Sequence, residues 1–250
     1  MHTEEEVRVI KSLAAKYIPN TSGRPLVLSD ADHTLAPKDG SKMFFLAGGL
    51  DEADMCKNFD KNGYTKESLL RHRELHLVVG RHFEEISQRA AKLIDLSDEV
   101  VNFFRQASQS STVIVLTGGV PLVWSNVLKN HGLESITVHG TVRPDGYEIF
   151  EANGKGIFAR ELTPCASWSL AIGDSQVETQ MMRASTIAAI VARKCKKTGQ
   201  LNPELLSEVS SHPRLIQVTH KTEINHENIR LIPWETLFDE ALEIATLQKP

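Results

Sequence analysis

Only three cysteines occur in the 250 residues, Cys56, Cys165 and Cys195, and none forms a CxxC pair with another. That usage excludes a disulfide-stapled secreted domain and a zinc ribbon, and it fits a reducing compartment. Long apolar runs are missing too; none approaches the ~20 residues of a membrane span. The opening residues, Met1-His2-Thr3-Glu4-Glu5-Glu6, are acidic where a secretory signal carries positive charge. We therefore expect a cytoplasmic protein with no membrane partner. Basic residues do not dominate either: 28 Lys and Arg stand against 32 Asp and Glu, for a formal net charge of -4. No global positive field is available to hold nucleic acid. The one basic run, Arg193-Lys194-Cys195-Lys196-Lys197, reads as a solvated loop. No repeat or low-complexity tract is present. No GxGxxG follows the first apolar strand, which excludes the dinucleotide-binding fingerprint.

What is present is ordinary globular sequence, 41% hydrophobic and 24% charged, long enough for one large domain or a domain with a small appendage. Val7, Ile10, Leu13, Ala14 and Tyr17 recur at helical spacing, and the helix they predict over 4–18 stops at Asn20-Thr21-Ser22-Gly23. Short apolar runs follow at 25–29, 112–116, 169–172 and 186–191, the pattern of buried parallel strands. Segments 215–218 and 228–232 are expected as edge strands. Between and after the runs lie helical patterns: one over 97–107, capped by Ser97-Asp98-Glu99, one over 121–130 with Pro121 at its start, and one over 234–246. Arg143-Pro144-Asp145-Gly146-Tyr147 reads as a hairpin turn. Alternating strands and helices predict an α/β fold with a Rossmann-like parallel sheet. The stretch 40–94 has few strand-like runs and much Glu, Arg, Leu and His at helical spacing. It is expected as a small helical cap inserted after the first core strand, leaving 1–39 and 95–250 as the core.

Chemistry concentrates where the strands end. Leu28-Ser29-Asp30-Ala31-Asp32-His33-Thr34 places two aspartates one residue apart just past the first strand, where open parallel sheets collect ligands. Paired carboxylates there attract a hard cation, and one can serve as nucleophile while the other moves a proton. Thr117-Gly118-Gly119 ends the second apolar run, with glycines that let backbone approach a phosphate. Ile172-Gly173-Asp174 repeats the strand-end aspartate, and Glu178 follows at i+4, on the same face of a following helix. Asn153-Gly154-Lys155-Gly156 offers a lysine in a glycine-flanked loop, a point charge suited to phosphate.

Taken in order, Asp30-x-Asp32-x-Thr34, Thr117, Lys155, and Gly173-Asp174 with Glu178 resemble the four motifs of the haloacid dehalogenase superfamily. The likeness runs from residue 26 to about residue 191 and is similar to the phosphoserine-phosphatase-like branch, with its helical cap between the first two motifs. The resemblance implies a phosphomonoester hydrolase acting on a small-molecule phosphate ester. Asp30 would be the nucleophile that becomes an aspartyl-phosphate, and Asp32 the general acid and base. Thr117, Gly118 and Lys155 would hold phosphate. A Mg2+ ion would sit between Asp30, the backbone carbonyl of Asp32, and Asp174, with Glu178 supporting it. Glu178 stands where the family carries aspartate, so an altered metal affinity is expected. Leu35-Ala36-Pro37-Lys38 lacks the glutamate that meets the amine of phosphoserine, which argues against that substrate. His33, Phe44, Phe45, Arg71 and Trp124 are the candidate substrate contacts. A phosphomutase, or a non-catalytic protein that keeps the fold to bind a ligand or partner, are the alternatives.

Overall fold

In a computed structural model, which describes residues 2–145, 150–195, 198–221 and 224–247, the strand-like runs form one parallel sheet. Its strands are β1 (Leu26–Ser29), β2 (Thr112–Thr117), β3 (Thr137–Gly140), β4 (Ser169–Gly173), β5 (Ile187–Val191), β6 (Leu215–Val218) and β7 (Arg230–Leu231). They lie in the order β3-β2-β1-β4-β5-β6-β7. The chain runs outwards from β1 to β2 and β3, then crosses back to β4 on the other side of β1. The crevice between β1 and β4 is therefore the topological switch point, where such sheets bind ligands. Register aligns the strand ends there: Ser29 of β1 pairs with Val115 of β2 and Ile172 of β4.

Because side chains alternate along a strand, each short apolar run feeds two cores. Val27, Val113, Val115, Leu170 and Ile172 point to one face, and Leu26, Leu28, Ile114, Leu116 and Ala171 to the other. On the second face pack the helices Glu4–Ala15, Ala152–Leu162, Thr179–Ala184 and Pro203–Val209. The first of these opens with a capping box between Thr3 and Glu6, which satisfies two otherwise orphaned amides. The expected helix over 4–18 ends at Ala15, and a separate turn, Ile18–Thr21, carries Pro19 in its first turn. A proline breaks the ladder at that point.

The first face is covered by Asp98–Ser110, Pro121–Asn130 and Leu237–Thr246, together with Gly40–Gly48 and Phe83–Ala91. Phe103 and Phe104 of Asp98–Ser110 are fully buried, and truncating one to alanine costs about 3–5 kcal/mol. Within 40–94, the first and last helices share the main core: Phe44, Phe83 and Ile86 belong to one apolar cluster with Val27 and Trp124. The middle helices, Ala53–Asn62 and Lys66–Leu77, reach over the C-terminal ends of the strands. Lys66 is tied to Glu6 of the first helix at 2.7 Å.

Two elements depart from expectation. β3 carries no strong apolar run, since Thr137-Val138-His139-Gly140 is an edge strand half covered on one side. Lys155 lies on the helix Ala152–Leu162, not in a loop; Glu151 caps that helix by accepting from the Asn153 amide at 2.7 Å. Of the expected hairpin around Arg143, Gly146 and Tyr147 lie outside the described residues, as do Lys196 and Lys197 of the basic run.

Candidate active site

β1 delivers Asp30 into the crevice and β4 delivers Asp174, each buried at 5% exposure. The Lys155 side chain reaches Asp30 and Glu178 from the helix Ala152–Leu162. Its Nζ donates to Asp30 Oδ1 at 2.5 Å and to Glu178 Oε1 at 2.7 Å. Burial opposes the charge on Lys155, but the two carboxylates outweigh it and hold the amine above its usual range. Burial also pushes Asp30 well above the ordinary carboxylate range, opposed by Lys155 and reinforced by Glu178, Asp174 and Asp32. Asp174 rises to about 7, from burial first and then from Glu178. These are acids crowded together without enough positive charge.

Glu178 does not sit on a regular helix as its i+4 spacing predicts. It closes a short 3-10 turn, Gln176–Glu178, and its Oε2 accepts from the Ser175 amide at 2.9 Å and the Ser175 hydroxyl at 2.8 Å. Oε1 is left for Lys155. The longer glutamate thus holds the loop with one oxygen and the lysine with the other. Gly173 makes room for it: a Cβ there would lie 2.2 Å from Glu178 Cγ.

Oxygens of Asp30, Asp174 and Glu178 all lie within 4.8 Å of one another. An all-carboxylate set of that size fits a hard divalent cation rather than a soft one. The Asp32 carboxylate is not part of that set. It turns away from Asp30, with Oδ1 accepting from the Gly40 amide at 2.6 Å and Trp124 Nε1 at 3.1 Å, and Oδ2 from Thr117 Oγ1 at 2.7 Å. Burial, and then Asp39, raise its pKa. Thr117 in turn accepts from the Gly119 amide at 2.9 Å. A Cβ at Gly119 would lie within 3.3 Å of Ser41 Oγ, Asp32 Oδ2 and Thr117 Oγ1 alike, so three oxygens converge on bare backbone.

A cavity of about 340 Å³ opens over these groups, lined by Asp30, Asp32, His33, Gly118, Lys155, Asp174 and Glu178 among others. His33 holds a left-handed backbone, φ 64°, inside the Asp30–Thr34 loop. Four of the five expected substrate contacts lie off the cavity wall. Phe44 and Phe45 face inwards and pack on His76, because the helix Gly40–Gly48 needs that side for the core. Trp124 is fully buried and spends its indole N–H on Asp32. Arg71 is also off the cavity wall, exposed and paired with Glu74 at 2.9 Å.

Arg193, Ser41 and His72 join the site without a signal from the motifs, and Thr34 of the first motif takes a place there too. Arg193, two residues past β5, donates to Asp174 Oδ2 at 2.6 Å, and Thr34 donates to Oδ1 at 3.1 Å. The basic run reads as a solvated loop by composition, yet its first member, Arg193, follows the end of β5, the position in a parallel sheet where side chains meet the site. Ser41 Oγ lies 3.0 Å from His72 Nε2. Burial, with His76 beside it, holds His72 well below its usual pKa, so it is neutral.

No family model and no curated protein matches the chain. Solved structures do. A protein of unknown function from Bordetella pertussis Tohama I is 18% identical with a TM-score of 0.52, over 68% of this chain and 91% of that one. A phospho-aspartyl intermediate analogue of phosphoserine phosphatase is 16% identical at TM-score 0.51, over 68% and 87%. A HAD family hydrolase from Salmonella enterica serovar Typhi is 12% identical at TM-score 0.55, over 76% and 72%. The chain has the haloacid dehalogenase fold. Within that fold, β1 and β4 carry Asp30 and Asp174 to one crevice, and Thr117 at the end of β2 is buried against Asp32, off the cavity wall.

Proposed function

We propose that this chain is a divalent-metal-dependent phosphomonoesterase with Asp30 as nucleophile and Asp32 as general acid and base. One observation carries the reading. Two aspartates a single residue apart are held in opposite environments, Asp30 against an ammonium and two further acids, Asp32 against three neutral donors. Groups whose surroundings separate their roles in this way are how one site supplies both a nucleophile and an acid.

In the first step an Asp30 oxygen attacks phosphorus in line and the bond from phosphorus to the alcohol oxygen breaks. Asp32 gives its proton to that oxygen and becomes a carboxylate. In the second step Asp32 takes a proton from water as the water oxygen attacks phosphorus. The bond between phosphorus and Asp30 breaks, and inorganic phosphate leaves. Lys155 neutralises phosphoryl oxygens, and the Gly118 and Gly119 backbone lets them approach. Asp30 and Asp174, with the backbone carbonyl of Asp32, would hold the metal and Glu178 would support it. Mg2+ suits the all-oxygen donors, and when bound it lowers the repulsion between carboxylate and phosphate. Segment 40–94 serves as the cap that selects the ester. The three cysteines, none in a disulfide, support a cytoplasmic setting.

The test is phosphate release from p-nitrophenyl phosphate and a panel of alkyl phosphates, with Mg2+ or with chelator, for wild type and Asp30→Asn. Metal-dependent release that the variant lacks is expected. Release that persists in folded Asp30→Asn would sink the nucleophile assignment, and no release from any ester would sink the enzyme reading.

A further inference from the structure

The phosphoryl chemistry uses the floor of the cavity and leaves its roof unexplained. The roof comes from the helices Ala53–Asn62 and Lys66–Leu77 and the turn between them, and it is aromatic and apolar. Phe59 and Tyr64 stack with ring centroids 4.8 Å apart and planes 27° apart, and Phe59 makes an edge contact with the His72 ring at 5.0 Å. Met55, Cys56 and Leu69 complete the surface. A ring pair placed only to pack the cap would face inwards, as the buried Phe44 and Phe45 do. Tyr64 instead is 51% exposed as a whole, over the site. Its hydroxyl end is the enclosed part: burial, then the carboxylates of Asp39, Asp174 and Asp32, raise the phenol above its usual range. The Tyr64 ring therefore runs from the cavity mouth towards the acids on the floor, and a ring lying along it sits close to the reacting phosphorus.

The roof holds no charge that is free to pair. Asp60, the one acid among its described lining residues, is not without a partner. His72 is neutral, with Nε2 on Ser41 and with Nδ1 buried and lacking a hydrogen-bond partner among the described residues. The roof thus presents apolar and aromatic surface with one hydrogen bond to spare. The acids of the floor are engaged as well. Asp30 and Glu178 hold Lys155, Asp174 holds Arg193 and Thr34, and Asp32 holds three neutral donors. Asp39 accepts from the Lys42 amide at 3.0 Å and has His33 beside it at 4.0 Å. An ammonium on the leaving group finds no unpaired acid, whereas a flat uncharged ring finds a surface that matches it. The volume of about 340 Å³ is at the small end for ligand sites and suits a phosphate with one ring.

We propose that the ester hydrolysed here is the phosphate of an uncharged aromatic alcohol, its ring no more than one carbon from the ester oxygen and seated against the Phe59–Tyr64 pair. This rests on the phosphatase reading above and sharpens it to a substrate class.

The experiment compares kcat/KM for benzyl phosphate, cyclohexylmethyl phosphate and glycerol 1-phosphate, with phosphoserine as a charged ester. All four release a primary alcohol, so leaving-group reactivity does not set their order. Benzyl phosphate is expected to exceed its saturated counterpart by about threefold to tenfold, the size of an aromatic contact beyond its buried area. It is expected to exceed glycerol 1-phosphate by about tenfold or more, through the added apolar burial. Phe59→Leu and Tyr64→Leu each keep apolar bulk and remove one ring. Each is expected to lower the benzyl-to-cyclohexylmethyl ratio towards unity, and should one fold poorly the other carries the test. A ratio that neither variant lowers overturns the seat on the ring pair. Hydrolysis through Asp30, with cyclohexylmethyl phosphate, glycerol 1-phosphate or phosphoserine equal to or better than benzyl phosphate, overturns this inference and leaves the phosphatase reading standing. No hydrolysis of any ester, p-nitrophenyl phosphate included, overturns both.

Discussion

Asn202 donates its side-chain amide to the backbone carbonyl of Asp174 at 2.6 Å, from a left-handed backbone with φ 39°. The same amide reaches the Val191 carbonyl at 3.0 Å, and its oxygen accepts from the Arg193 amide at 3.0 Å. One buried side chain therefore pins the ends of β4 and β5 together. Asn202→Ala leaves buried polar groups unpaired, at about 1–3 kcal/mol, and keeps a strained backbone that costs an alanine roughly 1–2 kcal/mol. Asn202→Gly relieves only the strain. Thermal melts should rank wild type above Gly and Gly above Ala. Calorimetric Mg2+ titration should show both variants weakened, and an unchanged Mg2+ affinity would remove the positioning role.

Gly173→Ala forces a Cβ into Glu178 Cγ. The glutamate must move, releasing Ser175 and Lys155 together, so both stability and phosphate release should fall. Adding Glu178→Gly to the variant removes the contacts at both Cγ and Cβ. Stability should recover in the pair while activity stays low; recovery of activity would show that Glu178 is dispensable.

Lys155→Met strands two buried carboxylates, which costs about 3–5 kcal/mol at neutral pH. The sign with pH follows from their partner. Burial already raises Asp30 in the folded state, and without the ammonium that opposes the rise it titrates higher still, so the unfolded state loses its proton first as pH rises. Stability of the variant should therefore fall more steeply than that of wild type between pH 5 and pH 8. Parallel denaturation curves for the two proteins would refute the coupling.

His76 is buried, its pKa lowered to about 4 by burial, and it packs against Phe44 and Phe45. The unfolded chain takes up its proton near pH 6.5. Between those values the unfolded state binds more protons, so stability drops as pH falls from about 7 towards 4. His72, lowered in the same direction, adds to the drop. His76→Gln should flatten part of the slope in thermal midpoints measured from pH 7 to pH 5.

Trp124→Phe removes one of the three donors that fix Asp32. If Asp32 protonates the leaving alcohol, the loss matters most for poor leaving groups. Alkyl phosphates should slow by about tenfold, within the range that general acid catalysis supplies, and p-nitrophenyl phosphate by much less. Equal slowing of both would show that Trp124 acts only through folding.

Most of the architecture was legible in the residue pattern, because buried parallel strands are nearly pure apolar runs and their ends are abrupt. β1, β2, β4, β5 and β6 were all found that way, and so were the aspartates that follow β1 and β4. β3 has no such run: it pairs on one side only, and its partly covered positions Thr137 and Val138 are followed by His139 and Gly140. Lys155 was found by its place in the motif order, but its glycine neighbours hid the helix that carries it; packing against the sheet outweighs their poor helix propensity.

The sequence by itself determined which strand ends carry acids, because the chain order of runs and breakers is a local property. Only the tertiary structure decided what those acids face. The turning of Asp32 towards Gly40, Thr117 and Trp124, the bridge from Lys155 to Asp30 and Glu178, and the reach of Arg193 and Asn202 to Asp174 all join residues distant in the chain. The same holds for Phe44 and Phe45, whose direction was set by the core beneath them. Side-chain chemistry is written in the sequence, but the partners that tune it are chosen by how the strands and helices come together.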